Sequence, residues 1–183
     1  MSRITRTAMR LALLIAVIVP IAGLAPRTAG ARSALAARGG SLIVARAGDI
    51  DVLDPAVSVD PEGIHTLHSL YSGLIGVAPD NTLYPDFAAA MPTVAGGGTI
   101  YTFHVRPGLR FGDGTPLTAS DVAFSINRAA DPKTGCWAVS ELSTIVGYDA
   151  VEAAKARTLS GVKVLDPLTI RFTLSRPDAI FPY

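Results

Sequence analysis

The sequence contains one cysteine and few charged or aromatic residues. Cys136 is the only cysteine, so no disulfide can form within the chain and a zinc cluster built on cysteines is excluded. Charged residues make up 17% and aromatic residues 7% of the 183 residues, whereas apolar residues make up 49%. Because this apolar content is enough for a globular core, general disorder is not expected. The length indicates about one domain.

Acidic residues are absent from the first 31 residues. Four of the 16 basic residues lie there and all 15 acidic residues follow, so the formal net charge of +1 becomes −3 for residues 32–183. A mildly acidic body gives no electrostatic basis for binding nucleic acid. We therefore expect no nucleic-acid partner.

No apolar run is long enough to cross a bilayer. Residues 11–24 form an apolar run of 14 residues that contains Pro20, whereas a membrane-spanning helix needs about 20 residues. Three arginines precede this run and the small triplet Ala29-Gly30-Ala31 follows it, which is typical of a secretory signal peptide. We predict a signal peptide over residues 1–31, with residues 34–36 as a second cleavage site. An uncleaved anchor is the alternative.

Motifs of known catalytic sites are also missing. The chain has no G-x-S-x-G nucleophile elbow, no H-E-x-x-H zinc motif and no recognisable carboxylate pair. Gly96-Gly97-Gly98 and Gly112-Asp113-Gly114 do not fit the phosphate-binding pattern G-x-x-x-x-G-K-[ST], and we interpret both as turns. We therefore expect no enzymatic activity, no catalytic residue and no cofactor.

Two histidines have a spacing that could bind a metal ion. His65 and His68 are three residues apart on a predicted helix, which could place both imidazoles on one metal. No third ligand is indicated nearby, because Asp60 has the position of a helix cap and Glu62 that of a first-turn acid. We therefore predict no metal site, with a metal-carrying role for this pair as the alternative.

Residues 101–128, YTFHVRPGLRFGDGTPLTASDVAFSINR, carry the clearest structural pattern. Apolar and polar side chains alternate over residues 101–105, which predicts a half-buried strand. Thr118 and Asp121 then have the spacing of a helix capping box, and Asp131-Pro132 predicts the end of that helix. This stretch predicts a strand, a turn-rich loop and a capped helix.

The rest of the chain indicates a mixed α/β fold. Asp60, followed by Pro61, predicts the start of another helix. The further expected elements are a strand at residues 41–46, a short helix at residues 85–91, a helical segment from Pro132 to Gly147 and a hairpin of residues 162–165 and 169–174.

Several motifs resemble, in the same order, those of the bacterial extracellular solute-binding proteins of family 5, the peptide- and nickel-binding components of ABC importers. The match over residues 101–128 is close to residue by residue. The other matching stretches are Val52-Leu53-Asp54-Pro55, Leu70-Tyr71-Ser72-Gly73-Leu74, LYPDFA at residues 83–88 and SGVKVLDPLTIRFTLSRP at residues 160–177. The resemblance covers about residues 41–183 and is carried by spaced motifs rather than by one.

The resemblance implies a mixed α+β subdomain within one lobe of a two-lobed periplasmic binding protein of the peptide-binding type. Residues 32–183 would be its amino-terminal part, with the first strand and the accessory subdomain but without the second lobe. Such a protein captures a peptide or a similar small solute, as a monomer, and delivers it to the permease subunits of an ABC importer. A lipid-anchored member needs a cysteine at the cleavage site. Cys136 lies far from it, so a soluble periplasmic protein is expected.

The resemblance also implies a ligand-binding segment. In the family, the backbone just after the Leu-Asp-Pro motif lines the ligand cleft, which corresponds here to Val57, Ser58, Val59 and Asp60. Their main-chain amides and carbonyls would pair with a peptide-like ligand as an added strand. An ordinary helix-entry loop is the alternative for each of these residues.

Members of the family are much longer than this chain, so we expect a fragment or a truncated product that binds ligand weakly or not at all by itself. Two other functions stay open at this point. One is a secreted interaction protein that takes no part in transport. The other is a periplasmic hydrolase or a metal carrier that uses His65 and His68.

Overall fold

Short strands alternate with helices over residues 41–182, the part of the chain that the computed structural model describes. From Ala45 onward the described residues form one compact unit. In chain order, its elements are α1 (Pro61–Leu70), β1 (Ile75–Val77), β2 (Leu83–Pro85), β3 (Thr93–Ala95), β4 (Ile100–His104), α2 (Ala119–Ala130), two 3₁₀ turns (Pro132–Thr134 and Val139–Leu142), α3 (Tyr148–Glu152), β5 (Val162–Asp166) and β6 (Thr169–Thr173). The predicted signal peptide, residues 1–31, lies outside the described residues.

A four-stranded antiparallel sheet with the order β3-β4-β6-β5 lies at the centre of the fold. Tyr101 on β4 pairs with Phe172 on β6, and Phe103 pairs with Ile170, so these four side chains share one face of the sheet. They are between 0% and 4% exposed. Helix α2 contacts β5 and β6. The core therefore lies between the apolar face of this sheet and the helix.

The strand, loop and helix predicted at residues 101–128 are confirmed. Strand β4 alternates between buried Tyr101 and Phe103 and less buried neighbours, as the sequence pattern indicates. Helix α2 begins with a capping box between Thr118 and Asp121. The helix ends at Asp131, whose ψ of 120° is extended because a proline follows it.

The predicted hairpin near residue 166 is also confirmed, with one difference. Strands β5 and β6 pair antiparallel, and Ile170 and Phe172 are buried on the inner face. Val164, which pairs with the buried Ile170 and so belongs to the same face, is nevertheless 41% exposed. The reason is that β5 is the edge strand of the sheet and its register shifts between Val164 and Asp166, which is the effect of a β-bulge.

The strand predicted at residues 41–46 is wrong. These residues are not in a strand, and no strand of the described chain pairs with them. An apolar run such as that of residues 42–44 becomes a strand only where a partner satisfies its backbone groups.

Two predicted helices are wrong as well. At residues 85–91, Pro85 ends β2 and the following residues form an irregular segment in which Phe87 N donates to the carbonyl of Gly73 and Arg106 N donates to the carbonyl of Phe87. The segment from Pro132 to Gly147 contains two 3₁₀ turns instead of one helix. There, Gly135 has a φ of 68°, a left-handed conformation that ends helical structure. In the first segment tertiary hydrogen bonds replace the local helical ones, whereas in the second the local bonds are those of short 3₁₀ turns.

Candidate functional site

A largely apolar cavity of about 860 Å³ opens beside the loop of residues 53–56. Residues 71–75, one side of α2 and the inner face of the sheet form its other walls. Phe124 on α2 is 68% exposed and Phe111 is 44% exposed at its edge. Concave apolar surface that remains open to solvent is characteristic of sites where a ligand or another part of a polypeptide binds.

Asp54 organises the loop that forms one wall of this cavity. Its Oδ1 atom accepts from Ala56 N at 3.0 Å. Its carbonyl oxygen accepts from Val57 N at 3.2 Å and from Ser58 N at 3.0 Å. Aspartate before proline favours such a turn, because the short carboxylate reaches the backbone two residues on and Pro55 has a fixed φ. The turn directs the chain from the cavity wall towards α1.

Arg128, in the last turn of α2, forms a two-pronged ion pair with Asp54. Nη1 donates to Oδ1 at 3.0 Å, and Nη2 donates to Oδ2. The hydrogen bond from Arg128 and that from Ala56 N together lower the pKa of Asp54 below its ordinary value. The hydrogen bond to Asp54 and the charge of its carboxylate raise the pKa of Arg128. The carboxylate therefore stays ionised and the pair intact at neutral pH. Two residues that are 74 positions apart in sequence are thereby joined.

A second carboxylate, that of Asp51, holds the next part of the chain. Ser58 Oγ donates to Asp51 Oδ1 at 2.8 Å, and Val59 N donates to Oδ2 at 3.2 Å. Desolvation acts to raise the pKa of Asp51, but the hydrogen bonds from Val52 N, Ser58 and Val59 outweigh it and lower the pKa. Ser58 is 1% exposed. The segment after Pro55 is therefore a defined structure and not a loose connection.

The four residues predicted to contact ligand lie directly after the cavity wall and do not line the cavity itself. Asp60 caps α1, with its Oδ2 accepting from Gly63 N at 3.0 Å. The amides of Val57, Ser58 and Val59 donate to Asp54 and Asp51. The carbonyls of these three residues accept no hydrogen bond from residues 41–182. Ser58 is buried, so the groups that remain open for a ligand are the carbonyls of Val57 and Val59 and the side chain of Val59, which is 64% exposed.

Sequence reasoning missed two components of this site. Arg128 was not singled out, because its partner lies far away in sequence. Phe124 is one of several apolar residues that follow the helix cap in sequence, and its exposed position at the cavity was not predicted. An apolar residue on the polar side of an amphipathic helix is a signal that could have indicated this surface.

The two histidines considered as metal ligands, His65 and His68, are both exposed on α1. Among residues 41–182, no group of three histidine, cysteine, aspartate or glutamate residues is close enough to hold a metal ion. His104 lies on β4, where its Nδ1 is 3.0 Å from Thr169 Oγ1. Cys136 is half-buried. No helix within the described range is long and apolar enough to span a membrane.

The chain matches the model of the bacterial extracellular solute-binding proteins, family 5, middle region, over residues 82–183, and it belongs to this family. It is 34% identical over 132 residues to the probable deoxycholate-binding periplasmic protein YgiS of Escherichia coli, covering 70% of this chain and 24% of that protein. It is 40% identical over 85 residues to the periplasmic oligopeptide-binding protein OppA of the same organism, covering 45% of this chain and 16% of that protein. The family resemblance seen in the sequence is thus confirmed.

The fold is that of the periplasmic peptide-binding proteins. The structure of Listeria monocytogenes OppA bound to peptide superimposes with a TM-score of 0.68 at 28% identity, covering 73% of this chain and 26% of that one. The predicted mixed α/β fold class is therefore confirmed. The chain spans about a quarter of the length of the first relatives that it matches.

Proposed function

We propose that this chain is part of the substrate-binding component of an ABC importer, which captures a peptide or a similar small solute in the periplasm and delivers it to a membrane permease. The observation that carries the proposal is that the chain matches the family model over residues 82–183 and is also similar to a peptide-bound structure over 73% of its length. Binding in a closing cleft requires no covalent chemistry. No catalytic residue is assigned.

We propose further that residues 57–60 contribute to the ligand cleft. The amides of Val57, Ser58 and Val59 are held inside the protein and Ser58 is buried, so the carbonyls of Val57 and Val59 are the groups available to accept from the amides of an extended peptide. Val59 presents an exposed apolar side chain beside them. Asp60 fixes the start of α1 and so sets where this segment ends.

A chimera tests the peptide-binding function. Residues 41–182 replace the corresponding part of Escherichia coli OppA, and binding of short peptides is measured by calorimetry. We expect a dissociation constant within about tenfold of that of the parent, a change of about 1.4 kcal/mol or less. The 183-residue chain alone should bind weakly or not at all. A chimera that has native circular dichroism and binds no peptide would contradict the proposal.

Substitutions in the chimera test the segment separately. Val59→Lys should weaken peptide binding about tenfold or more, because a charged side chain would be desolvated against the ligand. Val94→Lys is the matched control, since Val94 is 51% exposed and lies on β3, outside the segment and the cavity lining. Equal dissociation constants for the two variants would show that residues 57–60 do not contribute to the ligand site.

Export is proposed on the amino-terminal pattern alone. Expressed from its first methionine in a Gram-negative host, the chain should appear in the periplasmic fraction as a soluble monomer. Mass spectrometry should find Arg32 as its first residue, or the residue after Ala36 for the second cleavage site. An uncut product in the membrane fraction would favour the anchor interpretation.

A further inference from the structure

We propose that Arg128 is a positioning residue for the proposed ligand segment, residues 57–60, and that it acts through Asp54. The inference rests on the proposed function, because it concerns how the segment of residues 57–60 is held in place. Arg128 contacts none of these four residues through a hydrogen bond. It contacts the one residue whose side chain and carbonyl bind the amides that lead into them.

Arg128 belongs to a helix, α2, that is held in place near both ends. Ala119 N donates to the carbonyl of Pro167, in the turn between β5 and β6, at 2.8 Å, and Asn127 Oδ1 accepts at 2.7 Å from Leu159 N, in the segment that leads into β5. Arg128 follows Asn127 directly, so its backbone has little freedom to move. Because Arg128 belongs to this fixed helix, its guanidinium holds the Asp54 carboxylate at a defined position relative to the central sheet.

Asp54 in turn holds the loop that follows it. Both oxygens of Asp54 accept from Arg128, and Oδ1 also accepts from Ala56 N. The carbonyl of Asp54 holds the amides of Val57 and Ser58. A change in the orientation of Asp54 would therefore displace three consecutive amides together.

Other links between the loop and its surroundings are weaker. Trp137 N donates to the carbonyl of Ala56 at 3.4 Å, and Tyr71 Oη donates to the carbonyl of Leu53 at 3.2 Å. Within residues 41–182, the only other ion pair joins Arg46 to Glu62 and does not involve α2. Asp54 and Arg128 thus form the one ionic link between this loop and the helix.

The geometry explains why arginine is needed. A planar guanidinium can donate to both carboxylate oxygens at once and so fixes the rotation of the carboxylate, whereas a lysine ammonium is a point charge that does not. Lysine would keep the charge near the carboxyl end of α2, which is favourable to the helix. A difference between the two side chains therefore isolates the orienting effect.

Amide hydrogen exchange in the 183-residue chain tests the inference. Arg128→Gln should accelerate exchange at Ala56, Val57 and Ser58 by roughly 3–10-fold, since a charge-assisted link that holds the loop is lost. Arg128→Lys should give an intermediate acceleration. Exchange at the buried pair Phe103 and Ile170 should be unchanged in both variants.

Controls separate positioning from general destabilisation. Arg106→Gln removes the same charge from an exposed arginine whose side chain makes no hydrogen bond to residues 41–182, and it should leave all these rates unchanged. Asp54→Asn should reproduce the effect of Arg128→Gln, and the double variant should be no worse than either single variant. Uniform acceleration across the sheet, or unchanged rates in the loop, would overturn the inference.

The peptide-binding chimera distinguishes this result from the proposed function. Absence of peptide binding by the chimera with Arg128 present would count against the proposed function, while the exchange rates would still decide whether Arg128 orders the loop. If the chimera binds peptide, Arg128→Gln should raise the dissociation constant about 3–10-fold, because the apparent constant rises as the fraction of molecules with the ordered loop falls. An unchanged dissociation constant would show that the loop and the ligand site are not coupled, which would overturn the positioning role.

Discussion

Gly63 is a helical glycine that we expect to resist replacement by alanine. In the interior of an exposed helix this substitution normally stabilises a protein by up to about 1 kcal/mol, because alanine restricts the unfolded chain and favours the helix. A Cβ atom at Gly63 would instead lie 2.4 Å from Asp51 Oδ1 and 2.4 Å from Ser58 Oγ. Both atoms belong to the contact that holds the proposed ligand segment. The usual sign of the effect should therefore be reversed.

The magnitude follows from two opposing contributions. Over-packing at a tight contact costs about 1–3 kcal/mol, and the gain in helix propensity returns up to about 1 kcal/mol. Gly63→Ala should therefore destabilise the folded state by up to about 3 kcal/mol, with a central value of about 1.5 kcal/mol. For a domain of this size that central value lowers Tm by about 3–6 °C. Ser58 is buried, so its hydroxyl group cannot turn away from the new methyl group without losing its hydrogen bond to Asp51.

Urea unfolding followed by far-ultraviolet circular dichroism measures the change. Gly112→Ala is the matched control, because a Cβ there meets nothing within 4 Å and the residue does not have a positive φ. It should leave stability unchanged or slightly raised. Adding Ser58→Ala to Gly63→Ala removes one of the two clashing atoms, so the effects should be less than additive. If Gly63→Ala stabilises the protein as strongly as an ordinary helical substitution, the packing of residues 51–58 against α1 is not as described.

Three further predictions concern the scaffold and the ion pair. Ile170→Ala should destabilise the domain by about 2–5 kcal/mol in urea unfolding, because the side chain is 0% exposed in the core; a loss below that range would indicate a loosely packed sheet. Gly147→Ala should cost about 1–3 kcal/mol in the same assay, because φ is +93° and a Cβ would lie 2.6 Å from Ser160 N; a stabilised variant would contradict this. The pKa of Asp54 is lowered from 3.8, so the ion pair with Arg128 should contribute its full stabilisation above pH 3.8. This stabilisation should be lost as the pH falls through the lowered pKa, where the carboxylate becomes protonated. Amide exchange at residues 56–58, corrected for its intrinsic pH dependence, measures this loss, which should be absent from Asp54→Asn.

The elements that sequence reasoning predicted correctly are those whose signals are local. Strand β4, the capping box of α2 and the cap of α1 each depend on residues within a few positions of one another, and their backbone chemistry is the same in almost any fold. The stop at Asp131 follows from the proline that comes next. No knowledge of distant partners was required for any of these.

The elements that were predicted wrongly depend on distant partners. Residues 85–91 have the composition of a short helix, but their backbone bonds go to Gly73, Leu74 and Arg106. Such tertiary hydrogen bonds outweigh a helix propensity that amounts to only tenths of a kcal/mol per residue. Residues 41–46 fail for the opposite reason, since they have strand propensity but no partner strand among the described elements. Pairing decides both cases, and pairing is not visible in a short window of sequence.

The ligand segment was predicted by resemblance alone, and the structure changes how it could work. A strand-like contact was expected from amides and carbonyls together. With the amides of Val57, Ser58 and Val59 already donating inside the protein, a peptide could be held only through the carbonyls and side chains, unless the loop rearranged. A loop held by two carboxylates would resist such rearrangement, because several hydrogen bonds would break together.

Two of the motifs that carry the family resemblance meet at one ion pair. Asp54 belongs to the Val52-Leu53-Asp54-Pro55 motif, and Arg128 is the last residue of the stretch at residues 101–128. Because the guanidinium of Arg128 binds both oxygens of Asp54, the helix also sets the geometry of the loop. It follows that the order of the loop should depend on the cap of α2: Thr118→Ala, which removes a hydroxyl bonded to Asp121 at the far end of the helix, should loosen the Asp54 loop less than Arg128→Gln but more than Arg106→Gln.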